Sequence, residues 1–259
     1  MIIKLLKIEW KKIWPYATFR WLIGLYVVCL LLFFISAQNF RIGSFKPFSD
    51  DLLRFPDVWH NITYLAAILF NLILGVLVIV LITNEYQFKT IRQNIIDGLD
   101  RKKIILAKTC LVILMAVTCT IVVAVFAVAL GLWNTPSQNL DLFFDKILFI
   151  PAYAVQTIAL LSLASLFAHL FRKAGIGILM FLLYIGVIEP IIRGQIPFKF
   201  VNYMPAKSIY SIIQFPYIDL ISSNSGLSVH PAWDYFFISI GYSFLFIALS
   251  YLLLKRRDL

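Results

Sequence analysis

Charge is what this chain has least of. Asp, Glu, Lys and Arg together make up 14% of its 259 residues, against about 25% in soluble globular proteins. Apolar residues reach 61%, and a soluble domain is excluded. Period-two alternation of apolar and polar residues is missing as well, which excludes an outer-membrane barrel. The apolar residues come instead in blocks of about the 20 residues that cross the hydrocarbon core as a helix. Helices satisfy their own backbone groups in lipid, so one all-α polytopic membrane unit over 1–259 is the expected fold.

Motifs for chemistry are missing too. The chain has no G-x-x-x-x-G-K-[ST] phosphate loop, no H-E-x-x-H and no G-x-S-x-G. It is therefore expected to hydrolyse no ATP itself and to carry neither a catalytic nor a metal site. Cys29, Cys110 and Cys119 sit inside apolar runs without metal or redox spacing, the pattern of buried free thiols. His60, His169 and His230 fall in separate segments, where structural or interfacial roles are expected. No internal repeat and no low-complexity tract is present.

What is present is a series of apolar runs with basic residues at one set of ends. Residues 1–16 place Ile3, Leu6, Trp10, Ile13 and Trp14 on one side of a helix and Lys4, Lys7 and Lys11 on the other. That predicts an interfacial amphipathic helix lying against lipid headgroups, ended by Pro15. The lysines ahead of an apolar run imitate a signal peptide, but the run is too long and further spans follow, so a retained membrane helix is expected. Six spans are predicted, at about 19–37, 62–83, 107–133, 147–170, 175–193 and 233–254. The Arg172-Lys173 turn makes the fourth and fifth an antiparallel hairpin.

With both termini, the loop 84–108 and the Arg172-Lys173 turn on one side, that side holds 16 Lys and Arg against 5 Asp and Glu, and the other 7 against 8. The positive-inside rule then puts both termini in the cytoplasm. This distribution accounts for the net charge of +10, so no nucleic-acid partner is expected. The external pieces are 38–61, with Asp50, Asp51, Asp57, Trp59 and His60, then 134–146 and 194–232. Short helices are expected near 180–193 and 205–218, with Pro190, Pro197, Pro205 and Pro216 breaking any continuous crossing.

One polar segment stands out, Asn84 to Lys108, NEYQFKTIRQNIIDGLDRKKIILAK. Ile91, Ile95 and Leu99 recur at i, i+4 and i+8, one face of a short helix, and Asp97-Gly98 is a helix-end signal. Arg101, Lys102 and Lys103 then meet the membrane surface. Spacing alone leaves two readings, a helix that transmits a push from a cytosolic partner or a solvated basic turn that fixes topology. Elsewhere Glu189 and Arg193 stand at i, i+4, the favourable order for a helix ion pair, with Pro190 between them. Charges at membrane depth are expensive; this set is either a broken-helix outer gate or an interfacial pair anchoring the helix end. Asn71 and Gln156 are expected to make interhelical hydrogen bonds, and Gly175, Gly177 and Gly186 to permit close helix approach.

The order of Glu85, Thr90, Gly98, Arg101 and Lys108 resembles the E-x₄-T…G-x₂-R…K pattern of ABC-2-type permeases, the membrane subunits of type V ABC exporters in bacteria. The basic N-terminal helix, six spans and short external helices resemble the same plan. The resemblance implies a permease without catalytic activity in the bacterial cytoplasmic (inner) membrane. It implies two copies of a cytosolic ABC ATPase as partners, carrying ATP and magnesium, and a second permease subunit, identical or related, in lipid. Glu85, Thr90, Arg92, Ile95, Gly98 and Arg101 would lie in the ATPase-coupling segment 84–106. ATP binding would switch the cavity between permeases from inward- to outward-facing. The cargo class is left open among peptide, antibiotic, lipid and glycan. Two other readings compete: a self-contained membrane enzyme using Asp57 and His60, and a membrane assembly factor without transport.

Overall fold

A computed structural model describes residues 53–135, 142–196, 199–215 and 230–256, with helical residues 17, 20, 21, 24–29 and 32. The predicted helix at 1–16 and most of the first predicted span lie outside the described residues, as do Asp50 and Asp51. Among the described residues there is no strand. Five helices among the described residues are long and apolar enough to cross a membrane: α1 (Asp57–Gln87), α3 (Arg101–Asn134), α4 (Phe149–Phe171, closing a helical run from Leu142), α5 (Ala174–Gln195) and α7 (Trp233–Arg256). The five later predicted spans lie inside these helices, which extend beyond them. Two shorter α-helices among the described residues are α2 (Thr90–Ile96) and α6 (Pro205–Tyr210).

The bundle is organised around α4, which packs against α1, α3, α5 and α7. Small residues permit this: Ala152, Ala159, Ala164 and Ala168 are fully buried, and without a hydrophobic drive in lipid, close backbone approach is what holds helices together. A closed polar network ties α4 to α1 at the core. Tyr153 donates its hydroxyl to Asn71 Oδ1 at 2.9 Å, and Asn71 Nδ2 donates to Thr157 Oγ1 at 3.0 Å. Tyr26, on the helical stretch 24–29, sets its ring edge-on to Phe70 of α1 at 5.9 Å.

Of the three glycines the sequence pointed to, only Gly177 meets a neighbouring helix, and Gly75 and Gly131 make closer contacts. A Cβ on Gly75 would stand 2.8 Å from the Phe181 ring, and one on Gly131 would collide with the Phe55 ring. Gly177 is close to Ile79, whereas Gly175 and Gly186 face open space. Composition marks a glycine, but only the neighbouring helix decides whether its missing side chain is used.

Pro190 does not break its helix, contrary to expectation. α5 runs through it, widened by a π-turn at Tyr184–Ile188 in which Glu189 N–H reaches back to Tyr184 O. The wider turn takes up the residue whose carbonyl would meet the proline ring, and Pro190 sits in the first turn of the segment Glu189–Gln195, where no N–H is needed. A similar π-turn, Ala66–Phe70, interrupts α1 just before Asn71.

Candidate functional site

The segment from Asn84 to Lys108 forms a compact bracket at one end of the bundle. α1 ends at Gln87, and Lys89 turns the chain with a left-handed φ of 56°. α2 follows and stops at a Schellman cap. Gly98 N–H bonds Ile95 O at 3.0 Å and Leu99 N–H bonds Asn94 O at 2.9 Å, with Gly98 at φ 86°. Asp100 then opens α3 by accepting from Lys102 N–H at 3.2 Å.

The residues of the sequence pattern bind this bracket to the bundle. Glu85 on α1 and Lys108 on α3 form an ion pair at 2.5 Å, their side chains 9% and 4% exposed. Thr90 donates its hydroxyl to Glu85 O at 3.2 Å. Arg101 Nη1 donates to Leu254 O at 2.9 Å and Lys255 O at 2.6 Å, closing the last turn of α7. Ile91 is buried with Ile104, Ile105 and Leu254, and Ile95 and Leu99 pack on that cluster. The apolar face of α2 is therefore spent inward. Beside it, Tyr86 and His169 Nδ1 share a hydrogen bond at 2.7 Å, and Arg172 lies over the Tyr86 ring at 5.3 Å.

Exposed side chains of the bracket include Arg92, Phe88 and Ile96, the last two at 63% and 69%. Arg92 belongs to the predicted set. Phe88 and Ile96 were missed, although both are apolar residues off the Ile91–Ile95–Leu99 register, which is the signal that would have found them. Next to them a cleft of about 490 Å³ runs between α2 and the α4–α5 turn, lined by Lys89, Arg92, Arg172 and Lys173 among others. Lys89 and Arg172 both adopt left-handed backbone, a conformation that strains residues other than glycine and clusters at functional surfaces.

At the opposite end the expected Glu189–Arg193 ion pair is not formed. Glu189 is buried, and its two carboxylate oxygens accept from Ala206 N–H at 2.8 Å and Lys207 N–H at 2.6 Å. The unpaired amides at the start of α6 hold the carboxylate more tightly than an exposed i, i+4 partner would. Asp57 and His60 assemble no acid–base pair. Asp57 bonds Lys146 at 2.6 Å, while His60 meets Gln214 O at 2.8 Å and stacks on Phe149 at 4.2 Å.

Residues 5–187 match the family described as ABC-2 family transporter protein. The chain belongs to that family. Search of curated proteins finds no match. The matched stretch takes in α1 to α4, the whole 84–108 bracket and α5 as far as its π-turn. With its apolar helices, this makes the chain a multi-pass membrane protein and a membrane permease of the ABC-2 family, a transporter family whose permeases are not themselves catalysts.

Proposed function

We propose that this ABC-2 permease works with a separate cytosolic ABC ATPase that grips the 84–108 bracket and drives alternating access, exporting a substrate across the bacterial cytoplasmic membrane. The observation that carries this reading is the division of labour within the bracket. The residues that match the family-like pattern, through the Glu85–Lys108 pair, the Thr90 bond and the Arg101 clamp, point inward and tie the bracket to α1, α3 and α7. Its Phe88, Arg92 and Ile96 side chains are exposed. A rigid handle with an apolar and cationic outer face suits transmission of force: a displacement of α2 must move three long helices with it. Coupling then resides in a two-state bundle that the ATPase biases from one end.

In this reading both termini and the bracket are cytoplasmic, in line with the charge distribution. Two permeases pair, and two ATPases bind below them with ATP and magnesium. Among the five described spans α5 is the least buried, exposing Ile176, Leu179, Leu182 and Ile191, and offers an apolar side to lipid or to a second permease. The test is co-expression of the permease with its ATPase. Arg92→Glu, or Phe88→Ala with Ile96→Ala, should abolish copurification and permease-stimulated ATP hydrolysis while membrane insertion stays normal. Full copurification by all of these variants would sink the placement of the dock.

A further inference from the structure

At the end of the bundle away from α2, a cleft of about 270 Å³ opens between the last turns of α5 and α6. Its polar lining is Glu189, Arg193, Lys207, Tyr210 and Ser211. The Glu189 carboxylate is engaged on both oxygens by the backbone N–H groups of Ala206 and Lys207. Arg193 and Lys207 bring two positive charges against that one negative charge, so the cleft is net cationic. Arg193 Nε and the Tyr210 hydroxyl are both buried with no hydrogen-bond partner. Buried donors are normally satisfied, and both residues line this cleft. Burial pushes the Tyr210 phenol up, so it remains protonated and donates.

The guanidinium fork matches an oxyanion that accepts two parallel bonds. The volume, several times the about 30 Å³ of a water molecule, is enough to seat a phosphate group. The end of α5 also exposes Ile188, Ile191 and Ile196, apolar surface suited to an acyl chain. We propose that this cleft binds a phosphate group, Arg193 and Lys207 neutralising it and Tyr210 and Ser211 completing its hydrogen bonds. A glycerophospholipid headgroup and free phosphate share this chemistry. Binding here requires no ATPase, so it stands or falls independently of the docking surface on α2.

The test uses the full purified chain in detergent, stripped of lipid, with thermal unfolding and native mass spectrometry as readouts. Phosphatidylglycerol should raise Tm and remain bound, and phosphatidylcholine should do so more weakly because its choline meets Arg193 and Lys207. Arg193→Gln and Tyr210→Phe should each weaken phosphatidylglycerol about tenfold, as expected for one lost hydrogen bond to a charged group. Arg193→Lys should restore part of the loss. Should Arg193→Gln lower the unliganded Tm, Tyr210→Phe and Lys207→Gln decide from the α6 side. If inorganic phosphate alone gives the same Arg193-dependent shift, the site is a phosphate site whose source is free phosphate. Equal phosphatidylglycerol binding by wild type and variants, equal response to both lipids, or no response to either lipid or phosphate would overturn the proposal.

Discussion

The Lys108 ammonium meets a Glu85 carboxylate oxygen at 2.5 Å across 23 residues of chain, with both side chains buried. The pair fixes the exit of α1 against the entry of α3, so the bracket between them inherits the position of both helices. A buried ion pair adds little net stability, but removal of one partner strands the other and destabilises by about 3–5 kcal/mol. Glu85 already has one oxygen without a partner, which makes the carboxylate more dependent on Lys108. Lys108→Met should therefore lower the unfolding midpoint in detergent sharply. The double variant Glu85→Gln with Lys108→Met should lose less than the two single losses added together. A cycle in which the losses simply add would show that the two residues do not support one another.

The exposed trio on the bracket should behave in the opposite way. Phe88, Arg92 and Ile96 make their contacts at the surface, so truncating them should leave thermal stability within about 0.5 kcal/mol of wild type, as for surface substitutions generally. The ATPase complex should be lost all the same. Ligand-independent unfolding and pull-down measured on one preparation separate the two effects; a large stability loss in Phe88→Ala or Ile96→Ala would place these side chains in the fold instead of the dock.

Gly98 ends α2 with φ at 86° and with open space where a Cβ would go. Alanine there meets no neighbour, so its penalty is backbone strain, about 1–2 kcal/mol. Asn tolerates the left-handed region better and should recover part of the loss. Gly98→Ala, Gly98→Asn and Gly98→Val should rank from Asn, mildest, through Ala to Val in unfolding midpoint, and amide exchange should rise over 90–99. Equal midpoints for Asn and Val would refute the strain account.

The long elements were legible because apolar runs of membrane-crossing length have few alternative fates, and the Ile91–Ile95–Leu99 spacing with Asp97-Gly98 likewise announces α2 and its cap. The partners of charged groups were not legible. Glu189 and Arg193 satisfy a local i, i+4 rule, yet the carboxylate serves α6, whose free amides arrive 17 and 18 residues later in the chain. Local periodicity carries no information about which segment returns to a helix end. Pro190 misled for a related reason: a π-turn absorbs the proline, and neither its presence nor its place is encoded by a residue type. Glu85 and Lys108 stood at the two ends of the family-like pattern, but only the fold shows that they touch each other.

The contact between Gly75 of α1 and Phe181 of α5 tests whether close approach at glycine sets the packing of these helices. A Cβ on Gly75 would stand 2.8 Å from two atoms of the Phe181 ring. Phe181 is fully buried and packs against Phe167 at 5.9 Å between centroids, so its ring has no free volume into which to swing. Gly75→Ala should then act as overpacking, costing about 1–3 kcal/mol despite the gain in helix propensity. Phe181→Leu removes the atoms in the way and opens a small cavity of its own. The combination should be more stable than the sum of the single effects predicts, by about 1 kcal/mol or more, because the added methyl fills space that the ring has vacated. Unfolding midpoints of the four proteins in one detergent give the answer. A stabilised Gly75→Ala protein would mean that helix propensity, not helix–helix distance, governs this position.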